Sequence, residues 1–365
     1  METGPFSFFI GYQVLSAPEE FMKKKELLPN YKRRFLLLAV LLCGIVLLSV
    51  FLGRYHITPA DLLDLLLNED RFFARYGNEA AAAYQVLYYI RLPRIAVAGM
   101  VGAALAVAGA SYQGMFRNPM VSPDILGAST GAGFGAALAI LLGADYFGIT
   151  VSSFCFGLTA VAAAYLVSRL SRRTQPILAM ILGGIMISSL FSAGTSFIKL
   201  VADTQQQLPA ITYWLMGSLT SVKQEDMQFL VLPFAAGLVP LLLLRWRMNL
   251  LTAGEDEARS MGIHTGRLRL IVVVCATLLT AAAVSVSGMI GWVGLVIPHF
   301  CRMLFGYDYR RLLPAAILFG AGFLMLVDDI ARLVTTGELP LGILTAFVGA
   351  PVFLYLILTG GGSRD

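Results

Sequence analysis

The chain has 365 residues, of which 58% are hydrophobic and only 13% are charged, and its mean hydropathy is +0.76. Soluble globular proteins are typically about 45–50% apolar and about 25% charged, so this composition excludes a soluble domain and indicates a polytopic membrane protein. The formal net charge of +5 is expected to come from Lys- and Arg-rich loops beside the membrane, and nucleic acid is not expected as a partner.

The cysteine and histidine residues do not point to a metal site or to a disulfide framework. The four cysteines lie inside apolar runs without CxxC spacing, and the three histidines are far apart without a cysteine or carboxylate cluster beside them. The sequence also contains no GxxxxGK[ST] motif, the loop that cradles nucleotide phosphates. If nucleotide energy is used, another subunit must bind the nucleotide.

The first 34 residues precede the first long apolar run. They contain an apolar patch at 6–15 that is too short to span a bilayer, followed by a cluster of lysines and arginines. No small-residue cleavage site follows the apolar run at 35–53, so that run is expected to be an uncleaved first span. Residues 1–34 are therefore interpreted as a cytoplasmic N-terminal extension, and residues 35–360 as one all-helical membrane domain.

The membrane domain is predicted to contain ten transmembrane helices. The predicted spans are 35–53, 93–113, 121–142, 150–168, 177–198, 227–245, 269–287, 289–304, 312–329 and 341–359. The polar connection at 54–90 contains the helix-start sequence TPAD (58–61) before LLDLLL, which favours a short helix on the membrane surface. Residues 199–226 are expected to hold a short interfacial or re-entrant helix.

Loop charges predict the orientation of these spans. An even number of spans places both termini on one side, and a cytoplasmic N-terminus puts most of the 27 Lys and Arg residues in the cytoplasm. The positive-inside rule therefore favours cytoplasmic N- and C-termini.

The second span is predicted to be the centre of the bundle. Its small residues include Gly99, Gly102, Ala103, Ala106, Gly109 and Ala110. They recur at spacings of three and four, so one helix face has almost no side chain and can pack closely against other backbones. A lipid-facing helix would be richer in Leu, Ile and Phe, and a position surrounded by protein is favoured.

A weak internal repeat suggests two halves. A shift of 179 residues places AALAVAG (103–109) on AAVSVSG (282–288) and Pro119 on Pro298. The two copies are separated by an odd number of spans and therefore run in opposite directions. This pattern favours the inverted five-helix halves that are common in transporters.

The polar stretch at 248–268 is the first candidate for function. Its sequence GEDEAR (254–259) is acidic and then basic, and Gly262 follows, which predicts one or two short helices with glycine as the stop. A solvated connector is the simpler interpretation. A structured connection longer than the topology needs is more often functional, so a docking role is favoured.

The second candidate is the turn between spans two and three at the cytoplasmic face, where Asn118 and Pro119 precede Met120. Asn and Pro are typical of a tight turn, and the same turn can form a constriction at which a pathway closes. The residues alone leave both interpretations open.

The third candidate is a group of arginines at the outer face, namely Arg91, Arg94 and Arg332. Such side chains snorkel to the interface, or remain exposed and meet the carboxylates of a soluble protein. Asp328 precedes Arg332 by four residues, and these two side chains are expected to pair on one helix face. Asp329 lies beside them.

The fourth candidate is the sequence GMIGWVGLVIPH (288–299), in which three glycines and a proline predict a broken or tightly packed span. His299 at its end is expected to be a packed or capping residue rather than a ligand.

Together these residues resemble a known family. The motifs are RLPR (91–94), GAALAVAGASYQGMFRNPMVSPDILGASTGAG (102–133), LTAGEDEARSMGI (251–263), GWVGLVIPH (291–299) and ELPLGILTAFVGAPVFLYLI (338–357). In this order they resemble the iron-siderophore and cobalamin permease family, the FecCD-type transmembrane subunits of type II ABC importers. The resemblance covers roughly residues 32–360.

The resemblance implies a ten-helix permease that forms a homodimer around a central path in the cytoplasmic (inner) membrane, surrounded by lipid. It implies two cytoplasmic ATPase subunits, which bind ATP and Mg, and an extracytoplasmic substrate-binding protein that delivers an iron chelate, haem or corrinoid. The chain itself is expected to bind no cofactor and to have no enzymatic activity.

The resemblance also implies roles for single residues. Those expected in a cleft of the ATPase are Leu251, Gly254, Glu255, Ala258, Arg259, Met261 and Gly262. Arg91, Arg94 and Arg332 are expected to face glutamates of the binding protein, and Asn118, Pro119 and Met120 to belong to the cytoplasmic gate. The sequence departs from the family at Met120, where Leu is usual, and the 54–90 connection looks longer than in close relatives.

Two rival functions are disfavoured. A secondary transporter driven by protons or sodium needs ionisable groups at mid-membrane, and the apolar cores of the predicted spans hold essentially none. A membrane-embedded enzyme needs clustered His, Asp or Glu in the bilayer, and the predicted spans contain no such cluster. Small, apolar residues do not identify the cargo. Iron chelates are the first expectation because they are the family's most common cargo.

Overall fold

The computed structural model describes residues 30–53, 78–171, 175–334 and 337–360, with single residues between 55 and 73. All regular elements in these ranges are helices. Within the described ranges, seven helices are long and apolar enough to cross a membrane, and three shorter apolar helices accompany them. The protein is therefore an all-helical, multi-pass membrane protein, as predicted.

The α-helices are, in chain order, α1 (Tyr31–Phe51), α2 (Asn78–Gln85), α3 (Leu92–Met115), α4 (Ala128–Leu141), α5 (Tyr146–Leu170), α6 (Pro176–Val201), α7 (Gln207–Leu215), α8 (Gln224–Ala253), α9 (Glu255–Ser260), α10 (Thr265–Ser287), α11 (Val293–Phe305), α12 (Tyr309–Val334) and α13 (Leu341–Gly360). A π-helical turn at Val86–Arg91 joins α2 to α3, and a 3-10 turn at Pro123–Leu126 precedes α4.

A helix lies at each of the ten predicted places, but α4, α11 and α13 are the three shorter ones. Two of them are shortened at the start by irregular backbone. Gly127, with a φ of +87°, separates the 3-10 turn from α4, and Gly288, with a φ of +68°, ends α10 five residues before α11 begins. The broken span predicted around Gly288 is thereby confirmed.

The predicted central position of the second span is confirmed. The apolar window of the continuous helix Ala81–Met115, which includes α3, is 89% buried, whereas the windows of α1 and α8 are 17% buried. A Cβ atom on Gly102 would overlap the backbone carbonyl of Gly320 in α12, so these two helices touch backbone to backbone. Small residues permit this approach, as expected for helices packed inside a membrane.

The second most buried long helix is α10, with 78% of its window buried, and it packs against α3. The internal repeat pairs these two innermost helices, but it places the middle of α3 on the last turns of α10. It also places Pro119, which lies in a turn, on Pro298, which lies inside α11. The two copies are therefore not the same parts of equivalent helices, and the inverted halves stay a prediction.

The end of the sixth predicted span differs from the structure. That span was placed at 227–245 because Arg245 and Trp246 are typical interface anchors. The helix α8 continues to Ala253 instead, mostly through residues with good helix propensity. Its two internal prolines, Pro233 and Pro240, lie before this continuation. Residues 248–253 of the polar stretch thus belong to the long helix α8.

The remaining predictions lie partly outside the described residues. The short helix expected within 199–226 is α7. Most of the surface helix expected after TPAD, and the extension before residue 30, fall outside the described ranges.

Candidate functional site

The connector between α8 and α10, defined as residues 254–264, is held to α10 by one carboxylate. Glu255 accepts a hydrogen bond from Arg259 Nη2 at 2.7 Å, one turn further along α9. Its other oxygen lies 3.3 Å from Arg269 Nη2 in α10, and Thr265 Oγ1 donates to the first oxygen, also at 3.3 Å. The connector is therefore tied to a buried helix.

These contacts favour the charged form of Glu255. Burial alone would raise the pKa of Glu255, but the charge and hydrogen bond of Arg269, the charge of Arg259 and the hydrogen bond of Thr265 lower that pKa below its ordinary value. The carboxylate is thus ionised at neutral pH, as both ion pairs require.

The residues predicted to couple to an ATPase lie on the connector and, for Leu251, on the last turn of α8, and they divide between a buried and an exposed face. The buried members are Leu251, Gly254 and Ala258. Arg259 and Met261 are each 62% exposed, and Gly262 ends α9 on the exposed side with a φ of +77°. The expected helix with glycine as its stop is confirmed, and its outer face is available for contact.

The three arginines predicted at the outer face are buried, with exposed fractions of 3% for Arg91, 6% for Arg94 and 7% for Arg332. The expectation that they are exposed is therefore wrong in this structure. The physical reason is that oxygen atoms of this same chain surround their guanidinium groups.

Arg94 pairs with two carboxylates, and both lie far from Arg94 in the sequence. Its Nε and Nη2 donate to Asp328 at 2.8–3.1 Å. Its Nη1 and Nη2 donate to Glu338 at 3.4 and 3.0 Å. Two-sided pairing of this kind orients the planar guanidinium group firmly.

The other two arginines complete a cluster, defined as Arg91, Arg94, Asp328, Asp329, Arg332 and Glu338. Arg332 Nε lies 3.3 Å from Asp328, which confirms the predicted i,i+4 ion pair, and Arg332 Nη2 donates to Asp329. Arg91 donates to the carbonyl of Val50 at 2.8 Å. The cluster therefore ties the ends of α1, α3 and α12 together.

The predicted gate residues form a tight turn that is exposed at residues 117–120. The Asn118 side chain accepts a hydrogen bond from the backbone N–H of Met120 at 2.9 Å, and the backbone N–H of Asn118 donates to the carbonyl of Gln113 at 3.0 Å. Pro119 lies between them. The geometry matches the turn interpretation, and the gating role stays a prediction.

Gln113 links this turn to the broken span. Its side-chain amide donates to the carbonyl of Val121 at 3.1 Å and of Gly294 at 3.3 Å. The buried amide thus holds the segment after the turn against the start of α11.

An open apolar cleft of about 660 Å³ lies where the ends of α7 and α11 meet α13. Its walls include Leu215, Met216, Met289, Trp292, Phe347 and Ala350. None of the residues that line it is charged. The broken backbone between Gly288 and Val293 forms one wall, so the irregular segment predicted from sequence borders a cavity.

The pattern of the FecCD transport family matches residues 38–359 of this chain, from α1 almost to the end of α13. The chain belongs to the FecCD transport family. This agrees with the resemblance carried by its sequence motifs.

Individual relatives of this FecCD chain are similar over most of its length. It is 39% identical to the molybdate import system permease protein MolB of Haemophilus influenzae, over 92% of this chain and 99% of that protein. It is 37% identical to an iron chelatin transport system permease of Helicobacter pylori, over 89% and 97%. A solved structure, described as a metal-chelate type ABC transporter in an inward-facing conformation, has a TM-score of 0.80 and 38% identity, covering 90% of this chain and 100% of that chain.

Sequence reasoning missed several residues of the FecCD chain that organise these sites. Glu338 and Gln113 contact partners 244 and 181 residues away, and Arg269 contacts Glu255 across a helix junction 14 residues away. No local spacing in the sequence predicts these contacts. The motif ELPLGILTAFVGAPVFLYLI (338–357) did mark Glu338 as part of the family pattern, but not as the partner of Arg94.

Proposed function

We propose that this protein is the transmembrane subunit of an ATP-driven importer that moves an iron chelate, such as a ferric siderophore or haem, or a corrinoid across the cytoplasmic membrane. It would act as a homodimer with ten spans per chain and with both termini in the cytoplasm. Two ATPase subunits and an extracytoplasmic binding protein would complete the complex. The single observation that carries the proposal is the family match over residues 38–359.

The geometry of the connector supports an external source of energy. Its outer face is open to a partner, while Glu255 fixes α9 to α10 through Arg269. Because α10 is deeply buried against α3, a push on the connector would reach the centre of the bundle. Nucleotide binding on a partner ATPase would then favour one conformation over another, as any coupling of this kind requires. In this scheme the chain needs no nucleotide site or cofactor of its own, and it is not an enzyme.

The apolar cleft would form part of the transport path. Its volume of about 660 Å³ is in the range of small-molecule sites, and its walls offer few polar groups that would hold a cargo tightly. Two chains facing one another across such clefts would enclose a larger space. The turn at Asn118, Pro119 and Met120 would close this path on the cytoplasmic side.

A chelate fits this cleft better than a bare oxyanion does. The similarity to MolB makes molybdate a second candidate cargo. Molybdate is a small dianion, and sites for such anions normally supply arginines, lysines or helix N-termini. The lining residues include no charged side chain, whereas the apolar rim of a siderophore, haem or corrinoid can contact Met289, Trp292 and Phe347. Iron chelates therefore remain the first choice.

Uptake into vesicles tests the proposal. The permease is reconstituted with its ATPase and candidate binding proteins, and uptake of ferric siderophores, haem, cobalamin and molybdate is measured with ATP inside the vesicles. ATP-dependent accumulation of a chelate supports the proposal, and accumulation of molybdate alone would change the assigned cargo. If the permease alone accumulates cargo when given only an ion gradient, the chain is a secondary transporter.

A further inference from the structure

Glu338 lies in the segment between α12 and α13, and its backbone has a φ of +53°. This left-handed region is unfavourable for residues other than glycine, so the surroundings must stabilise the conformation. Three hydrogen bonds to its carboxylate do so. Two come from Arg94, and the third comes from Thr220 Oγ1 at 2.7 Å.

Glu338 is the more replaceable of the two carboxylates on Arg94. The side chain of Asp328 is only 2% exposed, and it binds Arg94 at distances down to 2.8 Å. The side chain of Glu338 is 18% exposed, and its contacts with Arg94 are longer, at 3.0 and 3.4 Å. A carboxylate arriving from solvent would meet Glu338 first. It would replace Glu338 rather than Asp328 as a partner of Arg94, because the buried pair of Arg94 with Asp328 is costly to break.

Thr220 connects Glu338 to the rim of the apolar cleft. Its hydroxyl lies 2.7 Å from that of Ser218, and the backbone N–H of Ser218 donates to the carbonyl of Ser287 at 2.8 Å. Two residues earlier, Met216 lines the cleft, and its carbonyl accepts from the N–H of Gly342 at 3.1 Å. The segment 216–220 therefore lies between Glu338 and the cleft.

We infer that Glu338 is the positioning residue through which docking at Arg94 reaches the cleft. In the undocked chain the Glu338 carboxylate pairs with Arg94 and, through Thr220, holds the segment 216–220 in place. When a carboxylate of a docked protein pairs with Arg94, Glu338 is released together with Thr220, and the rim of the cleft is free to move. This inference rests on the proposed function, because it needs a binding protein that docks on this face.

A purely structural role for Glu338 predicts something different. If the residue only fastens α12 to α13, neutralising it would lower stability and weaken docking and hydrolysis together. As a displaceable partner of Arg94, its neutralisation would strengthen docking, because the arriving carboxylate no longer competes with a charge of this chain.

The test uses the permease–ATPase complex in nanodiscs, with Glu338→Gln, Thr220→Val and two matched controls. Glu225→Gln removes an exposed carboxylate at the start of α8, and Thr159→Val removes an exposed hydroxyl that donates to the carbonyl of Cys155 within α5. The measurements are the Kd for the binding protein, ATP hydrolysis with and without it, and the melting temperature.

The expected results differ between the two variants. Glu338→Gln should bind the binding protein about threefold to tenfold more tightly, and its hydrolysis without the binding protein should rise toward the docked level. Thr220→Val keeps the ion pair with Arg94, so its docking affinity should stay within about twofold of wild type while stimulation by the binding protein falls. The controls should match wild type.

The following outcomes overturn either the inference or the proposed function. The inference is overturned if wild type is stimulated but Glu338→Gln docks no more tightly, or if it simply melts lower with weaker docking. Should Glu338→Gln not assemble, stimulation of Thr220→Val equal to wild type overturns the inference by itself. If wild type neither docks a binding protein nor hydrolyses ATP with its ATPase, the proposed function fails instead.

Discussion

Arg269 and Glu255 form the contact that fixes the connector, with Nη2 and Oε2 separated by 3.3 Å across the junction of α9 and α10. Arg269 is 8% exposed and Glu255 lies at the surface, so the pair joins a buried helix to an outward-facing one. A displacement of α9 would reach α10 through this contact, and the proposed coupling to an ATPase requires such a connection.

Replacing Glu255 with Arg should uncouple transport while leaving the membrane fold intact. The new cation would face Arg259 and Arg269, and like charges at this spacing repel one another and would detach α9 from α10. We expect uptake to fall by about tenfold or more, which corresponds to about 1.4 kcal/mol of lost coupling. The measurements are ATPase association and cargo uptake in vesicles.

A charge swap provides the control for this prediction. The double variant Glu255→Arg with Arg269→Glu restores an opposite pair across the same junction and should recover part of the uptake. Unchanged ATPase association and uptake in Glu255→Arg would show that the docking role is misassigned.

The same contact should depend on pH in a defined direction. The pKa of Glu255 is lowered in the folded chain, so the contact contributes stability at pH values above the unfolded pKa of about 4.3 and loses it as pH falls through the folded pKa. Because the side chain is 37% exposed, the contribution is below about 1 kcal/mol. Fluorescence of a probe attached at position 261 should therefore be constant from neutral pH to about pH 5 and should change only below that.

Glu255→Gln is the matched variant for the pH measurement. Its amide does not titrate, so the acid transition of the probe should vanish. A transition that persists in this variant would belong to another group.

The close approach of α3 and α12 should not tolerate a side chain at Gly102. A Cβ atom there would overlap the carbonyl of Gly320, and overpacked sites typically lose about 1–3 kcal/mol. Gly102→Ala should therefore lower the melting temperature and the yield of folded protein in detergent. Gly44 on α1 is the control, because nothing lies within 4 Å of a Cβ atom there.

Gly44→Ala should be neutral or slightly stabilising, since alanine favours a helix over glycine by about 1 kcal/mol. Equal melting temperatures for the two alanine variants would mean that α3 and α12 are not in backbone contact.

The positions of the helices could be predicted because they depend on local composition. Apolar runs, small-residue spacing and the glycines around Gly288 all act on the backbone near them in the sequence. The extent of α8 could not be predicted, since Arg245 and Trp246 are typical of the membrane–water interface and a helix can continue beyond that interface. The burial of Arg94 depends on Asp328, more than two hundred residues away, and no pattern around either residue predicts that pair. The apolar cleft likewise forms from three separate segments.

Removing Arg94 should destabilise the chain. Of its two ion pairs among the described residues, Asp328 would keep the one with Arg332, and breaking one side of a buried pair typically costs about 3–5 kcal/mol. Arg94→Met should therefore melt at a lower temperature, and the double variant Arg94→Met with Asp328→Asn should recover part of the loss, because the buried carboxylate that lost Arg94 is then neutral. Glu338 loses Arg94 in both variants, so the difference between them reports the pair with Asp328. If the double variant is no more stable than the single one, the ion pair with Asp328 is not what stabilises this end of α3. Docking measurements on Arg94 variants need this comparison, because it separates the loss of a contact with the binding protein from a loss of folded protein.

Filling the apolar cleft should reduce uptake in proportion to the volume added. Ala350 is exposed on the cleft side of α13, so the series Ala350→Val, Ala350→Leu and Ala350→Trp narrows the space stepwise without a buried collision. We expect uptake of the chelate to fall along the series while ATP hydrolysis and the melting temperature stay near wild type, since the connector and the helix contacts are unchanged. Uptake is measured in vesicles at equal permease density. A small cargo such as molybdate should be affected least, because the remaining space still admits it. Should Ala350→Trp import a chelate as fast as wild type does, the cleft of about 660 Å³ does not lie on the transport path.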